Sequence, residues 1–129
     1  MNANEIEQAS AKIYKAPRVT LADIEAAIAS VTYTAASALL HTGTEWRNGA
    51  SISEAERTTQ VYTICMVTLR NGWVVIGGAA PASPENFDPE HGRKLALDKC
   101  MQQIWPLMGF ALKQHLYDRR DVGTVGQGG

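Results

Sequence analysis

An α+β fold is predicted by three features of the sequence: a β-rich run broken by Asn71-Gly72, a helix start at Asp88-Pro89-Glu90, and a helical apolar stripe beyond it. Together they predict a small antiparallel sheet centred on a hairpin at about 61–78. An N-terminal helix and a long C-terminal helix over 89–118, kinked or divided, are expected to pack with that sheet. Residues 1–121 form the expected single domain, and the glycine-rich 122–129 a flexible tail.

The hairpin is the sharpest local signal. Val61 to Arg70 and Trp73 to Gly77 are β-type runs on either side of Asn-Gly, a pair that supplies positive φ at both centres of a two-residue turn. Such a turn pairs Arg70 with Trp73, Thr68 with Val75 and Met66 with Gly77, and sets Leu69 with Val74 and Val67 with Ile76 on the other face. Both faces are largely apolar, so both are expected to be covered, one by helix and one by a partner. Val31 to Thr34 is a further β-rich segment. Gly77-Gly78 at the strand end predicts a bulge or a close backbone approach.

Helices are marked by their starts. Thr20 and Asp23 make a T-x-x-D box, followed by Leu21, Ile24, Ala27 and Ile28 on one helical face. Asn4 to Tyr14 is a weaker helical segment. His41 to Thr59 is polar and reads as loop, with a helical turn at Glu54 to Arg57. Asp88 is an N-cap, Pro89 stands at the first helical position and Glu90 in the first turn. Leu97, Met101, Ile104, Met108 and Leu112 then share a stripe that runs through Pro106, where the missing N–H predicts a kink or a break near Trp105. About 30 residues of helix reach about 45 Å, against a diameter of roughly 36 Å for a compact domain of this length. The excess predicts a bend together with self-association through the Leu97-to-Leu116 stripe and a sheet face, with Leu97, Met101, Ile104, Met108 and Leu112 at the interface.

Composition excludes several classes of function. Twelve basic and 13 acidic side chains leave a net charge of −1, which argues against a general DNA coat. No apolar run is long enough to span a bilayer, and no signal peptide opens the chain. Two separated cysteines suit a reducing cytoplasm and buried thiols. Phosphate-loop, dinucleotide and zinc patterns are absent, so neither a cofactor nor a metal is expected. His41, His91 and His115 lie in separate segments, and His91 and Cys100 are too far apart along a helix to form a nucleophile pair. No catalytic residue is assigned, and the chain is expected to bind and not to catalyse.

One cluster points to a ligand. Asn86, Phe87, Arg93 and Lys94 flank the helix start, offering an amide, a stacking ring, two cations and first-turn N–H groups to a phosphate or nucleotide. The competing reading makes Phe87 a hydrophobic staple and Arg93-Lys94 a solvated face, and the residues alone favour it.

The run Cys65 to Gly77, the segment Ser83-Pro84-Glu85-Asn86-Phe87-Asp88, Gly92-Arg93-Lys94, and Ile104-Trp105-Pro106-Leu107-Met108-Gly109-Phe110-Ala111-Leu112 occur in an order that resembles a family of short tailed-phage accessory proteins, the N-four-like and Sf-six-like podovirus small proteins. The resemblance runs from about Arg18 to Leu116, with Met108 where an acidic residue is usual and Lys99-Cys100 where Asn-Ala is common. Its organisation is similar to that of the Thoeris anti-defence sponge proteins, which sequester cyclic ADP-ribose-type signals without cleaving them. The resemblance implies a non-enzymatic anti-defence protein in the infected host cytoplasm, a homo-oligomer holding a small cyclic nucleotide. No binding residue carries over from those sponges by alignment. The alternative is a module that docks on a host or phage protein through the sheet face.

Overall fold

The computed structural model describes residues 2–13 and 16–128, with side chains up to 120. The elements are α1 (Ala3–Ile13), α2 (Leu21–Ala27), β1 (Ile28–Ala35), a 3-10 turn (Ala36–His41), α3 (Ile52–Thr59), β2 (Thr63–Leu69), β3 (Val74–Ala79), a second 3-10 turn (Pro84–Asn86) and α4 (Pro89–Gly128). The fold is α+β, with a three-stranded antiparallel sheet in the order β1-β2-β3. The chain divides into two compact units, Met1–Ala27 with Gln103–Gly129, and Ile28–Gln102.

In the first unit the helix starts are held by reciprocal caps. Glu5 N–H donates to Asn2 Oδ1 at 2.8 Å, and Asp23 N–H donates to Thr20 Oγ1 at 3.1 Å while Thr20 N–H donates to Asp23 Oδ2 at 2.9 Å. Arg18 ties the two helices by pairing with Glu7 at 2.8 Å, and Leu21 N–H reaches the same carboxylate at 3.2 Å. The Arg18 bond holds the Glu7 carboxyl below its ordinary range. Ile24 and Ile104 are the fully buried side chains here. The helix signalled at Thr20 stops at Ala27, and Ile28, expected on its apolar face, opens β1 instead.

The second unit holds the sheet. The expected turn is corrected: Gly72 N–H donates to Leu69 O at 2.9 Å and Leu69 N–H to Trp73 O at 2.8 Å, so the loop is Arg70-Asn71-Gly72 and one residue longer. Within this loop only Gly72 has positive φ (93°); Asn71 instead accepts from Trp73 N–H through Oδ1 at 3.0 Å. A type I turn closed by a left-handed glycine needs one such residue, not two. The register therefore slips by one: Thr68 faces Val74, Val67 faces Val75 and Met66 faces Ile76.

This register sorts the faces. Thr63, Cys65, Val67, Leu69, Val75 and Gly77 are buried on one side, together with Ala96 and Cys100 of α4. A Cβ added at Gly77 would stand 2.7 Å from Ala96 O and 3.0 Å from Cys100 N, so the glycine is what lets helix backbone meet strand. Cys100 Sγ donates to Cys65 O at 3.3 Å, and burial pushes the Cys65 thiol up to about 12. On the other side Met66, Val74 and Ile76 are exposed.

Two further expectations are revised. The polar stretch read as loop contains α3, a full helix whose Ser51 and Glu54 form a capping box. Helix α4 passes Pro106 without interruption, so it is not divided, and it extends beyond 118 to Gly128. A proline removes a single backbone bond, which the turns on either side can outweigh. The tail expected at 122–129 falls on residues whose side chains, and at Gly129 the backbone also, lie outside the described set.

Candidate functional site

The approach to α4 is built by local rules. Pro84–Asn86 form a 3-10 turn, and Phe87 follows in extended backbone with its N–H bonded to Pro84 O at 3.1 Å. Asp88 then caps the helix: its Oδ1 accepts from Glu90 N–H at 3.0 Å and His91 N–H at 3.4 Å. Gly92 N–H goes to Asp88 O at 2.8 Å, and Pro89 has no N–H. The first-turn donors are thus occupied by the chain's own aspartate. That corrects the expectation that they would cradle a phosphate, because Asp88 already supplies the negative charge a helix start favours.

Phe87 is half-buried and forms the wall between two hollows. The first, about 200 Å³, is mostly apolar and takes in Ala79, Pro81, Asn86, His91 and Leu95. The second, about 320 Å³, is lined by Tyr33, Thr34 and Ala35 of β1, by Gln60 and Thr63, and by Phe87, Pro89 and Arg93. The structure therefore joins Phe87 with Arg93 in the second hollow and puts Asn86 in the lining of the first. Lys94 belongs to neither hollow; it pairs with Glu90 at 3.8 Å, both side chains about three-quarters exposed, as a solvated helix face.

The second hollow has an uncompensated cation. None of its lining residues is acidic, and Arg93 has no carboxylate partner among the described residues. Its charge is nonetheless felt at Tyr33: burial raises the Tyr33 hydroxyl above its ordinary range, with Cys65 and Cys100 adding to the rise, while Arg93 pulls it down. Gly92 positions this part of α4, since a Cβ there would stand 2.8 Å from Thr63 Oγ1 of β2. Tyr33 is the residue that sequence reasoning missed. Only strand alternation, which sets Tyr33 beside Cys65 on the helix-facing side, could have signalled it.

Of the residues expected at an oligomer interface, Ile104 is wholly buried within the chain, and Leu97, Met101, Met108 and Leu112 are half-buried. Ile104 is therefore spent on the chain's own core. Farther along α4 the exposed apolar side chains are Leu107, Phe110, Leu116 and Tyr117, with Arg120 stacked 5.0 Å from the Tyr117 ring.

Among the described residues no group of histidine, cysteine, aspartate and glutamate could hold a metal ion, and no helix is long and apolar enough to cross a membrane. What fold and site define is a small α+β chain with an aromatic and cationic hollow beside a helix start. The chain belongs to the phage protein (N4 Gp49/phage Sf6 gene 66) family, whose model matches residues 19–116. Comparison with curated proteins and with solved structures gives no match.

Proposed function

We propose that this phage protein is a non-enzymatic accessory protein that sequesters a ring-bearing anion, a cyclic nucleotide-type host immune signal, in the hollow of Tyr33, Phe87 and Arg93. The observation that carries this reading is an arginine without a carboxylate partner lining the same hollow as two aromatic side chains. A guanidinium offers phosphate a planar fork, and Tyr33 and Phe87 offer a base the faces on which rings stack. At about 320 Å³ the hollow sits at the lower end of small-ligand sites, so it buries one base-and-phosphate half of a dinucleotide-sized ligand and leaves the rest in solvent. Phosphate recognition falls to Arg93 because the helix-start donors are already taken. Calorimetry against cyclic ADP-ribose isomers and cyclic oligonucleotides tests the reading. Binding is expected with the ligand recovered intact after heat release, whereas a cleaved ligand would make the protein an enzyme.

A second reading, a module docking on a host or phage protein, is favoured by a different observation: Met66, Val74 and Ile76 leave the sheet face away from the buried core exposed and apolar. Capture of one defined protein, lost in Met66→Lys with Ile76→Lys and retained in Arg93→Ala, would support that reading over the first.

A further inference from the structure

The tripeptide Arg-Asn-Gly occurs twice in the chain, at 47–49 and at 70–72, so the covalent surroundings of the two asparagines match. Asparagine before glycine is prone to one reaction in particular. The glycine N–H, once deprotonated, attacks the side-chain carboxamide carbon, and no Cβ on the glycine stands in its way. What holds the amide nitrogen and the side chain then decides whether the attack takes place.

The two sites differ on that point. At Asn71 both groups are engaged: Gly72 N–H donates to Leu69 O at 2.9 Å, and Asn71 Oδ1 accepts from Trp73 N–H at 3.0 Å. The pairing of Thr68 with Val74 anchors the strands on either side. At Asn48 neither group is held. Its turn is closed by Ala50 N–H donating to Arg47 O at 3.1 Å, with φ of 54° at Asn48 and 72° at Gly49, the two-residue form that Asn71-Gly72 does not adopt. Among the described residues neither the Asn48 side chain nor Gly49 N–H makes a hydrogen bond. The turn is exposed throughout, and none of its residues lines either hollow.

We infer that Asn48 is a site of spontaneous deamidation and that Asn71, in the same tripeptide, is protected by the hairpin. The Gly49 nitrogen bonds to Cγ of Asn48, its proton passes to solvent, and the side-chain nitrogen leaves as ammonia, which closes a succinimide ring. Water adds at either ring carbonyl and opens it, giving aspartate or isoaspartate; only water is consumed. Either product puts a carboxylate beside Arg47, which pairs with Glu45 at 3.1 Å. Isoaspartate also lengthens the backbone by a methylene, which breaks the Arg47–Ala50 closure just ahead of the Ser51 cap of α3. The reaction is independent of any ligand in the hollow.

The test incubates the full chain at mildly alkaline pH, in buffer and in concentrated urea. Peptide mass mapping follows each asparagine, and enzymatic methylation scores isoaspartate. In the native chain Asn48 should convert, and Asn71 should lag by roughly tenfold or more, because both of its hydrogen bonds must break before attack. In urea the two should convert at comparable rates. An unchanged Asn48 in the native chain, or an Asn71 that keeps pace with it there, would overturn the inference. So would a lag at Asn71 that persists in urea, since the protection would then lie in the neighbouring residues and not in the hairpin.

Discussion

Replacing Gly77 with alanine tests the contact on which the second unit is built. The added methyl would lie 2.7 Å from Ala96 O, 2.9 Å from Lys99 Cβ and 3.0 Å from Cys100 N. Ordinary contact begins at 3.4 Å, so strand and helix must separate by about 0.4–0.7 Å. Two of the three neighbours are helix backbone atoms, which cannot rotate aside as a side chain can. The separation would loosen the packing that buries Cys65, Val67, Ala96 and Cys100. Overpacking of this kind costs about 1–3 kcal/mol. For a chain of this length that corresponds to a fall in melting midpoint of roughly 3–15 °C. Urea and thermal unfolding followed by circular dichroism measure it, with Gly43→Ala as control because nothing lies within 4 Å of that position. A Gly77→Ala protein within about 0.5 kcal/mol of wild type would refute the reasoning, as surface changes alone produce effects that small.

Gly109 lies in the exposed interior of α4 with open space around it, so Gly109→Ala should stabilise the chain by about 0.5–1 kcal/mol in the same unfolding assay. Asp88→Ala should cost about 1 kcal/mol by removing the cap from Glu90 and His91, read as a lower urea midpoint. The Cys65 thiol, raised by burial from an ordinary 9.0 to about 12, favours the folded state fully below about pH 9 and loses that contribution as pH rises toward 12. Urea midpoints should therefore fall across that window, less steeply in Cys65→Ala, and native Cys65 should resist alkylation at neutral pH.

Much of the fold was legible because its signals are local. The boxes at Thr20 and Asp88 are satisfied within one helical turn, and the helices begin where they indicate. The hairpin is legible in the sequence but its register is not. Asn-Gly is compatible with two loop lengths, and the choice falls to a side-chain bond between Asn71 and Trp73 N–H that spacing does not reveal. Pro106 reads in the sequence as a breaker, yet one lost bond does not end a helix whose neighbouring turns remain bonded. At the site, Phe87 and Arg93 were visible as a cluster beside the helix start, whereas Tyr33 reaches the hollow only through β1–β2 pairing at long sequence separation. Lys94 is next to Arg93 in the sequence, but adjacent helical residues point in different directions, and the structure gives Lys94 to Glu90.

The most direct measurement is calorimetric titration of a cyclic adenine-nucleotide signal into the wild type, Arg93→Ala and Lys94→Ala. A charge-assisted contact is worth about 1.5–3 kcal/mol, so Arg93→Ala should weaken binding by roughly tenfold or more, while Lys94→Ala, on the solvated face, should leave it within about twofold. Tyr33→Ala and Phe87→Ala should each weaken binding as well, through the loss of a stacking face. The absence of binding to every cyclic ADP-ribose isomer and cyclic oligonucleotide, or an equal loss in Lys94→Ala, would contradict the assignment of the hollow as the ligand site.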